Sequence, residues 1–122
     1  MAKVKSIEEL IRLKESIKNK RSEVKEIYIK SIDSKIKFKL ADRMQILKAR
    51  ELGNYDADAS IVYDSVVEPN LKDQSLQDAF ECQFPMEIVD KIFEPSEVVE
   101  IALNIIGQKD SSREVNNKIK NS

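Results

Sequence analysis

Apolar positions recur along this chain with two different periods, and the change of period marks its elements. Over residues 6–21, Ile7, Leu10, Ile11 and Ile17 fall on one stripe of a 3.6-residue repeat, which predicts an amphipathic helix with a lysine-rich opposite face. Ser6 and Glu9 stand at capping-box spacing at its start, and Glu8 and Arg12 form an i,i+4 pair. The period then drops to two. Ile27 and Ile29 alternate with Tyr28 and Lys30, and Ile36, Phe38 and Leu40 alternate with Lys37 and Lys39. This predicts a β-hairpin over 24–32 and 36–40, turning at Asp33-Ser34-Lys35. A lone hairpin is marginal in water, so its apolar side is expected to lie on helices.

Helical spacing returns at 42–51, with Asp42 as the cap and Gly53 free to take a positive φ beyond the end. From Asp58 the pattern predicts a string of short helices. One runs to Val67 and stops before Glu68-Pro69, because a residue preceding proline avoids the α region. Another spans Asp73 to Cys82. Pro85 opens a third, carrying Ile88, Val89, Ile92 and Phe93, and Pro95-Ser96-Glu97 opens a fourth that ends at Gly107. Residues 108–122 are polar apart from Val115 and Ile119 and offer too little apolar surface to offset ordering entropy.

The fold class read from these patterns is α+β: mostly α-helical, a short N-terminal β-hairpin followed by a bundle of short helices. The expected division is an N-terminal amphipathic helix over 1–22, a single globular domain over 23–107 and a flexible polar tail over 108–122, ordering if at all on a partner.

Composition narrows the function. A chain of 122 residues supports one modest core, and two glycines with three prolines are too few for a many-turned sandwich. No stretch approaches the roughly 20 apolar residues of a membrane span. No apolar run follows the two lysines of residues 1–6, so a secretory leader is not expected. Cys82 is the one cysteine, which excludes an intrachain disulfide and suits a reducing cytoplasm. Histidine is absent, and with it the commonest general base, the commonest metal ligand and the usual partner of a nucleophilic Ser or Cys. No catalytic residue and no cofactor is expected.

Charge divides the chain. Residues 1–50 hold 15 Lys and Arg against 7 Asp and Glu, whereas residues 51–107 hold 2 against 13. Such a split suits electrostatic steering of a partner or basic-to-acidic self-association, and equally two solvated faces of one fold. Three chemical readings are weaker than their structural counterparts. Asn54, Asp56, Asp58 and Ser60 alternate like the start of a calcium loop, but Ala59 stands where glycine is required and Ser65 where a bidentate glutamate is required. Cys82 has neither histidine nor a nearby lysine to activate it, and reads as an inert thiol. Tyr28 and Phe38 on a basic ribbon suit nucleic-acid contact, but no helix-turn-helix pattern accompanies them and the acidic half repels phosphate. The apolar candidates for a protein-binding groove are Tyr63, Leu71, Phe80, Phe84, Ile88, Ile92 and Phe93, residues whose spacing also suits a core.

One ordered series carries a resemblance. Ile61-Val62-Tyr63-Asp64-Ser65-Val66-Val67-Glu68-Pro69-Asn70-Leu71-Lys72-Asp73 is followed by Leu76 and Ala79-Phe80, then by Pro85, Ile88-Val89-Asp90-Lys91-Ile92-Phe93 and Pro95-Ser96-Glu97-Val98. Over about residues 25–107 the chain resembles the XkdN-like tail assembly chaperones of contractile-tailed phages and phage-derived tail particles. The resemblance implies a non-catalytic protein that coats the tape measure protein, helps tail tube subunits gather on it, acts in the host cytoplasm and is absent from the mature particle. It also implies that a longer form is often made by ribosomal frameshifting. Other readings are a nucleic-acid-binding regulator using the basic N-terminal half, a structural tail component, and an enzyme working through carboxylates.

Overall fold

The computed structural model describes residues 3–107. In chain order its elements are α1 (Ile7–Arg12), α2 (Lys14–Ser22), β1 (Val24–Ile29), β2 (Ser34–Lys39), α3 (Arg43–Arg50), α4 (Asn54–Ser65), β3 (Val66–Glu68), α5 (Gln74–Ala79), α6 (Glu87–Ile92) and α7 (Pro95–Ile105). The class is α+β and helix-rich, with one antiparallel sheet in the order β1-β2-β3. The hairpin is not N-terminal: helices precede it, as the stripe over 6–21 implied, α1 and α2 in place of the single one expected. A third strand also joins the sheet, so α4 stops at Ser65 rather than Val67. Val66 pairs with Phe38 and Glu68 with Lys37, and the Lys37 ammonium lies 3.4 Å from the Glu68 carboxylate. The β-branched pair Val66-Val67 suits a strand better than a last helical turn.

The hairpin keeps its expected phase but not its expected turn. Ile27 faces Ile36, Lys25 faces Phe38, and Ile29 faces Ser34. Lys30–Ile32 form a short 3-10 turn, and Asp33 closes it in the left-handed region at φ 47°. β2 therefore begins at Ser34, inside the segment expected to turn. Aspartate tolerates that conformation. Its Oδ1 accepts a 2.6 Å bond from the Tyr28 hydroxyl, which raises the Tyr28 pKa. The tip is then tied to α7: Ser31 donates from its hydroxyl and its N–H to the Glu97 carboxylate, at 2.6 and 3.1 Å.

Ile29, Ile36 and Phe38 place one sheet face on a helical layer built around α4, which packs against α7, α3 and α6. The core there holds Ala49, Ala59, Val62, Leu71, Ile88, Val89, Phe93, Val98, Ile101, Ala102 and Ile105. Caps fix several helix starts. Asp42 and Gln45 exchange bonds in a capping box on α3, Asp73 accepts from the Leu76 N–H, and Glu94 and Glu97 form a box at α7, where Pro95 takes the first turn. α4 begins at Asn54, four residues before its expected start. Gly53, at φ 89°, supplies the backbone conformation that ends the preceding turn. The polar tail expected over 108–122 lies outside the described residues.

Candidate functional site

The seven residues singled out for partner binding separate on folding. Leu71, Ile88 and Phe93 are buried in the core, at 1%, 0% and 3% exposure. Tyr63 and Ile92 are half-buried against it. Phe80 and Phe84 face outward, at 40% and 53%. They do not form one continuous groove. Tyr63 and Leu71 meet through Gln77, a buried amide that donates to the Leu71 carbonyl at 2.9 Å and reaches the Tyr63 hydroxyl at 3.4 Å. Lys72 lies over the Tyr63 ring, 5.5 Å from its centroid. These contacts give Tyr63 and Leu71 a structural task. Phe80 and Phe84 flank the turn between α5 and α6, where Glu81 takes a φ of 56°; Asp78, Glu81 and Glu87 accompany them in sequence.

A further exposed apolar surface lies on the N-terminal helices, outside the seven candidates. Leu13 joins α1 to α2, its N–H donating to the Glu9 and Leu10 carbonyls and its own carbonyl accepting from Ile17, so the helical path runs on from Ile7 to Ser22. The Ser6–Glu9 capping box starts it. The bond from the Ser6 backbone, then that from its hydroxyl, holds the Glu9 carboxyl below its ordinary pKa. Neither helix contributes a buried residue. Ile7, Leu10, Ile11 and Ile17 remain 77%, 49%, 64% and 44% exposed. The stripe was legible as amphipathic; that it stays exposed among the described residues was not.

The third feature is a cleft of about 570 Å³ between the end of α2, the start and outer face of α3, and the end of α7. Leu40, Ala41, Ile46, Leu47 and Ile106 give it apolar walls, and Arg21, Arg43 and Arg50 stand around them with Asp42. The Ala41 N–H donates to the Ile105 carbonyl at 2.9 Å, which pins the exit of β2 to the last turn of α7.

Other chemistry finds little support. Asp56, Asp58 and Ser60 lie within α4, not on a loop, and burial raises the Asp58 pKa. Among the described residues no group of acids and cysteine could hold a metal ion. Phe38 is 2% exposed, so it cannot stack on a base. Cys82 is a free, half-buried thiol. The Ser65 hydroxyl is buried without a hydrogen-bond partner among the described residues. No helix among them is long and apolar enough to cross a membrane.

Compared with known protein families, the chain matches the model of the phage XkdN-like tail assembly chaperone protein over residues 2–121, a wider span than the 25–107 read from the motif series. No curated protein and no solved structure matches it.

Proposed function

The chain belongs to the phage XkdN-like tail assembly chaperone family, and from that premise we propose that it binds the tape measure protein in the host cytoplasm and helps tail tube subunits gather on it, without catalysis. The observation that carries the proposal is the bare stripe of Ile7, Leu10, Ile11 and Ile17, a helical face with nothing over it in the described fold. A long protein with apolar helical stripes aggregates when left uncovered, and an amphipathic helix is a fitting cover. Phe80 and Phe84 offer a second exposed contact on the acidic half of the chain.

Magnitudes favour many copies over one. The four side chains are 44–77% exposed, so covering them supplies about 3.5–7 kcal/mol, at about 1.5–3 for a side chain buried from full exposure. Association costs about 4–15 kcal/mol in lost freedom and ordering. One copy therefore binds weakly, and repeated copies along a filament supply the rest by multivalency. Contact between the basic N-terminal half of one copy and the acidic half of the next would favour such an array.

Co-expression with the tape measure protein of the same phage or tail particle tests the proposal. The expected result is a soluble complex that co-purifies, and its loss when Ile7 and Ile11 are both changed to Glu. An insoluble tape measure protein, with the wild-type chain eluting alone, would remove the proposal.

A further inference from the structure

We propose that the cleft between α2, α3 and α7 receives an acidic amphipathic helix from a partner protein. Its walls are aliphatic, from Leu40, Ala41, Ile46, Leu47 and Ile106, and its charged groups are mainly three guanidiniums. The ion pairs among the described residues join Lys37 to Glu68 and Lys91 to Glu87, so Arg21, Arg43 and Arg50 have no carboxylate partner there. Asp42 lines the cleft as well, but it forms no ion pair with them, its Oδ1 accepting the Gln45 N–H at 2.8 Å in the cap of α3, and one carboxylate against three guanidiniums leaves the cleft positive. An apolar trough with unpaired arginines is complementary to a helix carrying leucine-like residues at three- and four-residue spacing between glutamates or aspartates.

The walls also discriminate among occupants. Among the described residues no aromatic side chain lines the cleft, so they offer no stacking platform for a nucleic acid. Residues 108–122 of the chain itself hold 4 Lys and Arg against 2 Asp and Glu, a charge that arginines repel. Met44, 62% exposed beside Arg43, and Leu47, 42% exposed, extend the apolar surface outward along α3. The cleft volume of about 570 Å³ falls within the range of about 300–1,000 Å³ typical of ligand pockets, enough for several side chains of an entering helix. The site is separate from the Ile7–Ile17 stripe, and the inference rests on the chaperone reading only for where the acidic helix comes from.

The test is a titration of the full chain with a 20-residue helical peptide carrying leucines at that spacing and flanking glutamates, followed by amide chemical shifts and fluorescence anisotropy. Saturable binding with shifts at Ala41, Ile46 and Leu47 is expected. Arg43→Glu combined with Arg50→Glu should weaken it by about tenfold or more, and a peptide with lysines in place of the glutamates should then bind the double variant better than the wild type. Unchanged affinity in the double variant, equal binding of both peptides by the wild type, or shifts confined to other surfaces would overturn the proposal. So would a DNA oligonucleotide that binds more tightly than the peptide with the same arginine dependence. The double variant serves in the co-expression assay too. If it still recovers the tape measure protein while Ile7→Glu with Ile11→Glu does not, the general role stands whatever the peptide result.

Discussion

Two helical segments of this chain carry the same apolar spacing and meet opposite fates. In α7, Val98, Ile101, Ala102 and Ile105 follow one another at three-, one- and three-residue steps, and all four are buried. In α1, Ile7, Leu10 and Ile11 take the first two of those steps and none is buried. α7 packs on α4 and α6 and is tied to the hairpin tip by Glu97, so its stripe belongs to the core. α1 and α2 bury nothing of their own. Periodicity reports that a helix has an apolar face; it does not report whether the same chain or another one covers that face.

The largest expected effect tests the covered side. Ile101→Ala removes a fully buried side chain from α7 and should cost about 2–5 kcal/mol, read as a lowered urea midpoint. A loss below about 0.5 kcal/mol would mean that α7 contributes no more to the core than a surface residue does, and the contrast with α1 would collapse.

Gln77→Ala probes the same side through polarity. The Leu71 carbonyl loses the donor now 2.9 Å away, inside the core, and an unmet buried acceptor costs about 1–3 kcal/mol. Replacing Tyr63 with Phe removes only the longer 3.4 Å contact to the same amide and should cost less. Equal losses would show that packing around the amide, not its bond to Leu71, sets the effect.

The difference between what was legible and what was not follows the same division. Local rules found the hairpin phase, the Asp42 cap, the Ser6–Glu9 box and the Pro95 start, because each depends on residues a few positions apart. They missed β3, since pairing of Val66 with Phe38 joins residues far apart in sequence and overrides the local helical pattern. They also placed Leu71, Ile88 and Phe93 among the partner-binding candidates, because a buried cluster and a binding groove share one composition. The arginine-rimmed cleft had no sequence signal at all: Arg21, Arg43 and Ile106 converge only in the fold.

A smaller effect lies at the junction of hairpin and α7. Burial alone would raise the Glu97 pKa. The Ser31 hydroxyl, the Glu94 N–H and the Ser31 N–H together outweigh it and hold the carboxyl below its ordinary value of 4.5. A carboxyl depressed by folding stabilises fully above the ordinary value and loses that contribution as pH falls through the lower, folded value. Hydrogen exchange at the Ser31 amide should therefore quicken, relative to the intrinsic rate, on acidification below 4.5, and Glu97→Gln should flatten that dependence. A wild-type profile identical to that of the variant would show that the hairpin tip is held by its own turn.

The smallest expected change in stability sharpens the comparison most. Ile11→Ser alters a side chain that is 64% exposed, with no buried neighbour on its own helix, so the unfolding free energy should stay within about 0.5 kcal/mol of wild type. Helix propensity changes little, because isoleucine and serine rank close together. In the co-expression assay the same substitution should lower recovery of the tape measure protein, since it removes apolar area from the centre of the stripe. A large stability loss would place Ile11 against a surface of its own chain and end the contrast with α7. Unchanged stability with undiminished recovery would move the contact away from α1, leaving Phe80 and Phe84 as the exposed apolar pair to change next.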